Sequence, residues 1–113
     1  MNEKDVQYLK HISEETNFLL EQFAELEKEK LIKDRVLQRA SIRSLEIIGE
    51  AVKNLSANYK SQHTNIEWQK IAGMRDILIH HYFGIDLALV WDVIENKIPQ
   101  LNKVIITSLR DEE

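Results

Sequence analysis

Apolar residues return every three or four positions from the start of the chain. Leu9, Ile12, Thr16, Leu19, Phe23 and Leu26 form one stripe, with glutamates over much of the remaining surface. The spacing predicts an amphipathic helix from about Lys4 to Lys28, with no glycine or proline inside it. A second stripe, Leu37, Ala40, Ser44, Ile48, Ala51 and Leu55, predicts a helix from about Ile32 to Ser56. Leu45, Ile47 and Val52 widen it. Gly49 falls in its middle, where glycine costs about 1 kcal/mol against alanine. A close helix approach is the expected reason.

The next stretch, Ser56 to Thr64, is polar and without period, and reads as a loop. Thr64 and Glu67 fit a capping box, so a third helix is expected from about Asn65 to Ile79. Its apolar positions are Ile66, Ile71, Met74 and Leu78, with Trp68 nearby. Gly84 interrupts the pattern. Asp86 can cap a fourth helix carrying Leu87, Val90, Trp91 and Ile94. Pro99 suits the first turn of a fifth helix or a kink. Leu101, Val104, Ile105 and Leu109 make the last stripe. The expected architecture is all-α: one domain over residues 1–113, an antiparallel bundle of four or five helices, two long N-terminal ones against shorter C-terminal ones.

Composition supports that class. The 113 residues include three glycines and one proline, too little turn punctuation for an all-β chain of this length. The absence of cysteine excludes a disulfide scaffold, a cysteine-ligated zinc site and a thiol nucleophile. No apolar run nears the roughly 18–20 residues that cross a bilayer. The first ten residues hold Glu3, Lys4 and Asp5 and do not read as a secretory signal. A cytoplasmic protein is the simplest expectation. A small helical domain buries a modest core, so dimerisation would help it.

The net charge of −4 is unevenly spread: residues 1–27 carry −5, residues 28–43 carry +4 and the remainder −3. Within the basic segment Arg35, Arg39 and Arg43 recur every four residues and so share one helical face. They are a solvated basic face, or a ridge for phosphates or an acidic partner.

The chemistry concentrates in Met74-Arg75-Asp76-Ile77-Leu78-Ile79-His80-His81-Tyr82-Phe83-Gly84. Arg75, His80, His81 and Tyr82 crowd a helix end, where the dipole favours a protonated histidine. A histidine titrating near neutrality suits proton transfer, and arginine is a fixed fork for phosphate. Asp76, four residues before His80, could fix that imidazole's tautomer. Taken singly, each residue has a plainer reading: a C-terminal cap for the histidines, an ion pair with Glu67 or Asp76 for Arg75, and core packing for Tyr82 with Phe83. His11 and His63 are isolated. His80 and His81 diverge by about 100° on a regular helix and make no natural metal pair. No Gly-rich phosphate loop or metalloprotease motif is present, so neither metal nor cofactor is expected.

The joint spacing, Arg-x-x-x-x-His-x-Tyr, resembles the signature of the HepT-like branch of the HEPN superfamily. The surrounding residues 71–80 and 82–86 look like that family's motif region, Arg43 to Ala51 like its second helix, and Val90-Trp-Asp-Val like the helix after the motif. The resemblance covers essentially the whole chain. It implies an all-α homodimer and the toxin of a two-gene module, paired with an MntA-like minimal nucleotidyltransferase as antitoxin. It implies metal-independent RNA cleavage, with Arg75 and His80 as the catalytic pair. It further implies that AMP transfer to Tyr82 silences the toxin. His81 fills a position the motif leaves open, where it could act as a second acid or base.

Two other readings fit the same residues. One is a non-catalytic subunit of a nucleotidyltransferase complex, with Arg75 and His80 as a nucleotide-binding patch. The other is a structural bundle in which the motif caps a helix and contacts a second copy.

Overall fold

A computed structural model describes residues 1–25, 27–80 and 86–112, without the side chains of Ile79 and His80. Seven helices and no strand occur among the described residues: α1 (Glu3–Gln22), α2 (Lys28–Lys33), α3 (Arg35–Asn54), α4 (Ala57–Ser61), α5 (Trp68–His80), α6 (Leu87–Asn96) and α7 (Ile98–Asp111). No described helix is long and apolar enough to cross a membrane.

The stripes become the core. Leu9, Ile12, Thr16, Leu19 and Phe23 of the first stripe are all buried; Leu26 lies outside the described residues. Helix α3 is the central element, packed between α1 and α5, while α7 covers another side of α1. Ile12, Leu45, Ile48, Leu101 and Ile105 are wholly enclosed among them. A buried polar link also joins α1 to α7: the Asn102 side-chain amide donates to Thr16 Oγ1 at 2.8 Å and to Asn17 Oδ1 at 2.9 Å.

Gly49 sits where the expected close approach occurs. A Cβ there would lie 3.0 Å from Arg75 Cβ and 3.2 Å from the Ile71 carbonyl oxygen. The bare backbone of α3 is what lets α5 settle at this depth, and it sets the position from which Arg75 projects.

Seven helices stand among the described residues where four or five were expected, α2 and α4 being too short for a period to mark, and element boundaries differ from the periodic reading at four points. First, α1 ends at Gln22 rather than near Lys28. Phe23 turns into the core and meets Trp91 of α6 edge-on, with ring centroids 5.6 Å apart, and the Lys30 ammonium takes the Gln22 carbonyl. The chain then forms short α2, anchored by fully buried Leu31. Second, the next long helix starts at Arg35, not Ile32, because Asp34 is extended and its carboxylate accepts from Leu37 N at 3.1 Å. Third, residues 56–64 are not merely a loop. Ser56 caps the short α4 by accepting from Tyr59 N.

The Thr64–Glu67 box does not set the start of α5, which begins at Trp68. The Trp68 indole N–H donates to the His63 carbonyl at 2.9 Å and pins the entry. The Glu67 carboxylate faces Lys70 at 2.7 Å and Lys97 at 2.6 Å instead. Farther on, the expected signals hold. Asp86 caps α6 by accepting from Ala88 N at 2.9 Å, and Pro99 lies in the first turn of α7.

Candidate active site and nucleic-acid interface

The side of α5 that meets α3 carries the site. Arg75 projects over Gly49 and is 33% exposed. Its Nε donates to Glu50 Oε2 at 2.8 Å, and its Nη1 lies 3.5 Å from Asp76 Oδ1. Among the described residues the partners of Arg75 are thus Glu50, one residue after the glycine, and Asp76. Glu67 is not involved. Both carboxylates are well exposed, so solvent screens these pairs to about 0–1 kcal/mol each. They orient the guanidinium, and among the described residues they leave some of its five N–H donors for another anion.

His80 is the last residue of α5. Five helical steps from Arg75 amount to about 7.5 Å of rise and about 140° of rotation. Positions 75 and 80 therefore point to different sides of one helix, and a single α5 does not by itself converge them on one small group. The carboxylate of Asp76 contacts Arg75; its expected pairing with His80 lies outside the described side chains. His81 and Tyr82 lie outside the described residues.

Arg35, Arg39 and Arg43 lie along the exposed face of α3. Successive members are about 6 Å apart along the axis. Arg35 stands in the first turn, where a cation opposes the helix dipole, so its charge does not serve the helix. Arg43 Nη1 is 3.3 Å from Glu46 Oε2 and the arginine side chain is 72% exposed, a weak surface pair that leaves it open to anions.

The ridge runs into a groove. Tyr8 and His11 of α1 line it together with Arg43, Glu46, Ile47, Glu50 and Ala51 of α3 and Arg75 of α5; the space is about 420 Å³. Sequence reasoning singled out Arg43 and Arg75 but not Glu50, Tyr8 or His11. Glu50 adjoins the mid-helix glycine, which is the one local signal for it. Tyr8 and His11 sit at i and i+3 beside the α1 stripe, and nothing along the chain announces what they face.

Shifted titrations are seen at Glu67, Lys70 and Tyr59. Lys70 and Lys97 hold the Glu67 carboxyl down to about 2, and the same contact raises Lys70. Burial raises Tyr59, whose hydroxyl pairs with Ser108 Oγ at 2.8 Å.

The fold is thus an all-α bundle whose fifth helix carries Arg75 and ends at His80, beside an arginine ridge. The ribonuclease HepT-like family profile matches residues 10–107, and the chain belongs to that family. It is 47% identical over 94% of its length to "Putative RNase TTE0752" of Caldanaerobacter subterraneus, of which 95% is covered. It is 40% identical over its full length to "Putative RNase MJ0127" of Methanocaldococcus jannaschii, 94% covered. It is 43% identical over 83% of its length to "Probable ribonuclease HepT" of Thermococcus cleftensis, 86% covered. No solved structure matches it. Family membership places the chain among the ribonucleases.

Proposed function

We propose that the chain is a metal-independent endoribonuclease acting as the toxin of a two-gene module, with Arg75 and His80 as its catalytic residues. The observation that carries this reading is Arg75 itself, oriented by Glu50 and Asp76 yet one-third exposed at the mouth of a groove that the arginine ridge leads into.

RNA carries its own nucleophile. The 2′-OH attacks the adjacent phosphorus, the bond to the 5′-oxygen breaks, and a 2′,3′-cyclic phosphate is left. The step needs a base for the 2′-OH proton, an acid for the leaving oxygen and a donor for the developing charge. His80 supplies the base, Arg75 the charge stabilisation. Because positions 75 and 80 diverge on α5, a twofold homodimer supplies the missing convergence: the partner subunit's His80 protonates the leaving oxygen across a shared cleft. Ile77, an apolar side chain 45% exposed on the motif helix, supports burial of this face against a second copy. His81 is the other source of an acid or base. Cleavage by a verified monomer would remove the shared cleft from the mechanism.

Tyr82 is two residues from His80. An AMP group transferred there by an MntA-like nucleotidyltransferase would put bulk and negative charge into the cleft, where it competes with RNA phosphate for Arg75. The variant Tyr82→Phe is expected to cleave normally and to escape silencing. If the partner still silences it, Tyr82 is not the target.

The test is RNA cleavage in EDTA by protein shown by mass spectrometry to be unmodified at Tyr82, with product ends read out. Wild type is expected to leave cyclic phosphates, and His80→Ala to lose about 10²–10⁴ in rate. No cleavage of any RNA would favour the non-catalytic, nucleotide-binding subunit instead. The Glu50–Arg75 contact between α3 and α5 favours one further reading, in which Arg75 is only a brace; stability measurements on Arg75 variants separate it.

A further inference from the structure

We propose that the α1–α3 groove is a nucleobase subsite that takes guanine, placed so that the guanosine's 3′-phosphate meets Arg75. The inference rests on the ribonuclease reading for why a phosphate comes to Arg75, but its chemistry is local to the groove. The space of about 420 Å³ lies in the range of small-ligand sites. It is built as a nucleotide is. Arg75, paired with Glu50, and Arg43, seven residues before Glu50 on α3, both line the groove. The α3 positions that line it, from 43 to 51, span about 12 Å along the axis. The lining is partly apolar: Ile47 from α3 and the half-buried Tyr8 ring from α1 both border the groove, and the ring offers a face on which an unstacked base can stack.

The polar edge chooses the base. Glu46 is one helical turn from Glu50 and lines the same groove, with its side chain 22% exposed. An ionised carboxylate only accepts hydrogen bonds. Guanine presents two adjacent donors, N1–H and the N2 amino group, with no acceptor between them. Adenine and cytosine each set a ring-nitrogen acceptor beside their single amino donor, and uracil flanks its one N–H with two carbonyls. A carboxylate wall over an apolar floor therefore prefers guanine. Glu50 is held by Arg75 at 2.8 Å, which leaves Glu46, against its longer 3.3 Å contact with exposed Arg43, as the reading group.

His11 provides the readout, since it lines the groove while His63 lies in a different pocket beside Tyr59. The experiment follows histidine imidazole signals of the full-length, unmodified protein by NMR during titration with guanosine 3′-monophosphate, uridine 3′-monophosphate and inorganic phosphate. The expected result is a shift of His11 but not His63, with guanosine binding about tenfold tighter than uridine. Tyr8→Ala is expected to weaken guanosine binding about tenfold, and Glu46→Gln to erase the preference over uridine. Equal binding of the three probes, or a motionless His11, overturns the subsite. The readout needs no catalysis. A protein that cleaves RNA but shows equal binding loses the subsite and keeps the ribonuclease reading; guanosine binding without cleavage does the reverse.

Discussion

Asp5 and Arg75 are both charged residues that join helices, and the molecule uses them in opposite ways. Asp5 is 3% exposed. Its two oxygens accept from Ser56 N at 2.9 Å and Ser56 Oγ at 2.6 Å, and that hydroxyl in turn caps α4. Start of α1 and start of α4 are tied by one carboxylate that is enclosed and bonded through both oxygens. Arg75 joins α5 to α3 through Glu50, but it is one-third exposed, its partners are half or more exposed, and among the described residues donors remain on its fork. A buried charge must be satisfied locally, because the penalty for an unpaired one is several kcal/mol. A charge kept at a groove's edge with loose partners can exchange them for a ligand at little cost. The first arrangement builds the fold and the second leaves a group available for chemistry.

Substitutions sharpen the contrast. Asp5→Ala leaves two Ser56 donors without their acceptor in a largely enclosed place, so thermal or urea unfolding is expected to show a loss of about 1–3 kcal/mol, with RNA cleavage per folded molecule unchanged. If cleavage falls with stability intact, Asp5 belongs to the site and the contrast fails. The smallest effect is expected at Glu67. Its contacts with Lys70 and Lys97 are strong enough to hold its carboxyl near 2, yet the side chain stays about half exposed and solvent-screened, so Glu67→Gln is expected to leave the unfolding transition at neutral pH almost unmoved. Its folded-state value is lowered, so whatever it contributes is complete above its ordinary value of 4.5 and fades as pH falls toward about 2. NMR titration of the Glu67 carboxyl checks this. A midpoint near the ordinary value would mean that the two lysines do not hold it.

What could be read from the chain was what depends on neighbours three or four residues away. The stripes, the Asp86 cap and Pro99 at the start of α7 are local patterns, and they stand in the structure. The end of α1 is not local. Phe23 continues the apolar period, and the turn is decided by where Trp91 of α6 receives its ring. Helix α4 is five residues long and too short for a period to mark it. The Thr64–Glu67 pair had the right letters, but Glu67 found two lysines, one of them thirty residues away. At the site, Gly49 foretold a close approach without naming what approaches. The structure supplies Arg75. Its tether Glu50 and the groove residues Tyr8 and His11 come from other helices, and only the packing of α1, α3 and α5 brings them together.

The most direct test of the difference between a fold-building charge and a reactive one is Arg75→Gln, measured for RNA cleavage and for unfolding on the same preparation. Loss of a charge-stabilising donor is expected to lower the rate about 10²–10³-fold. The screened contacts with Glu50 and Asp76 should cost no more than about 1 kcal/mol. Unfolding at a clearly lower temperature, with cleavage per folded molecule unchanged, would show Arg75 to be a brace and contradict the account.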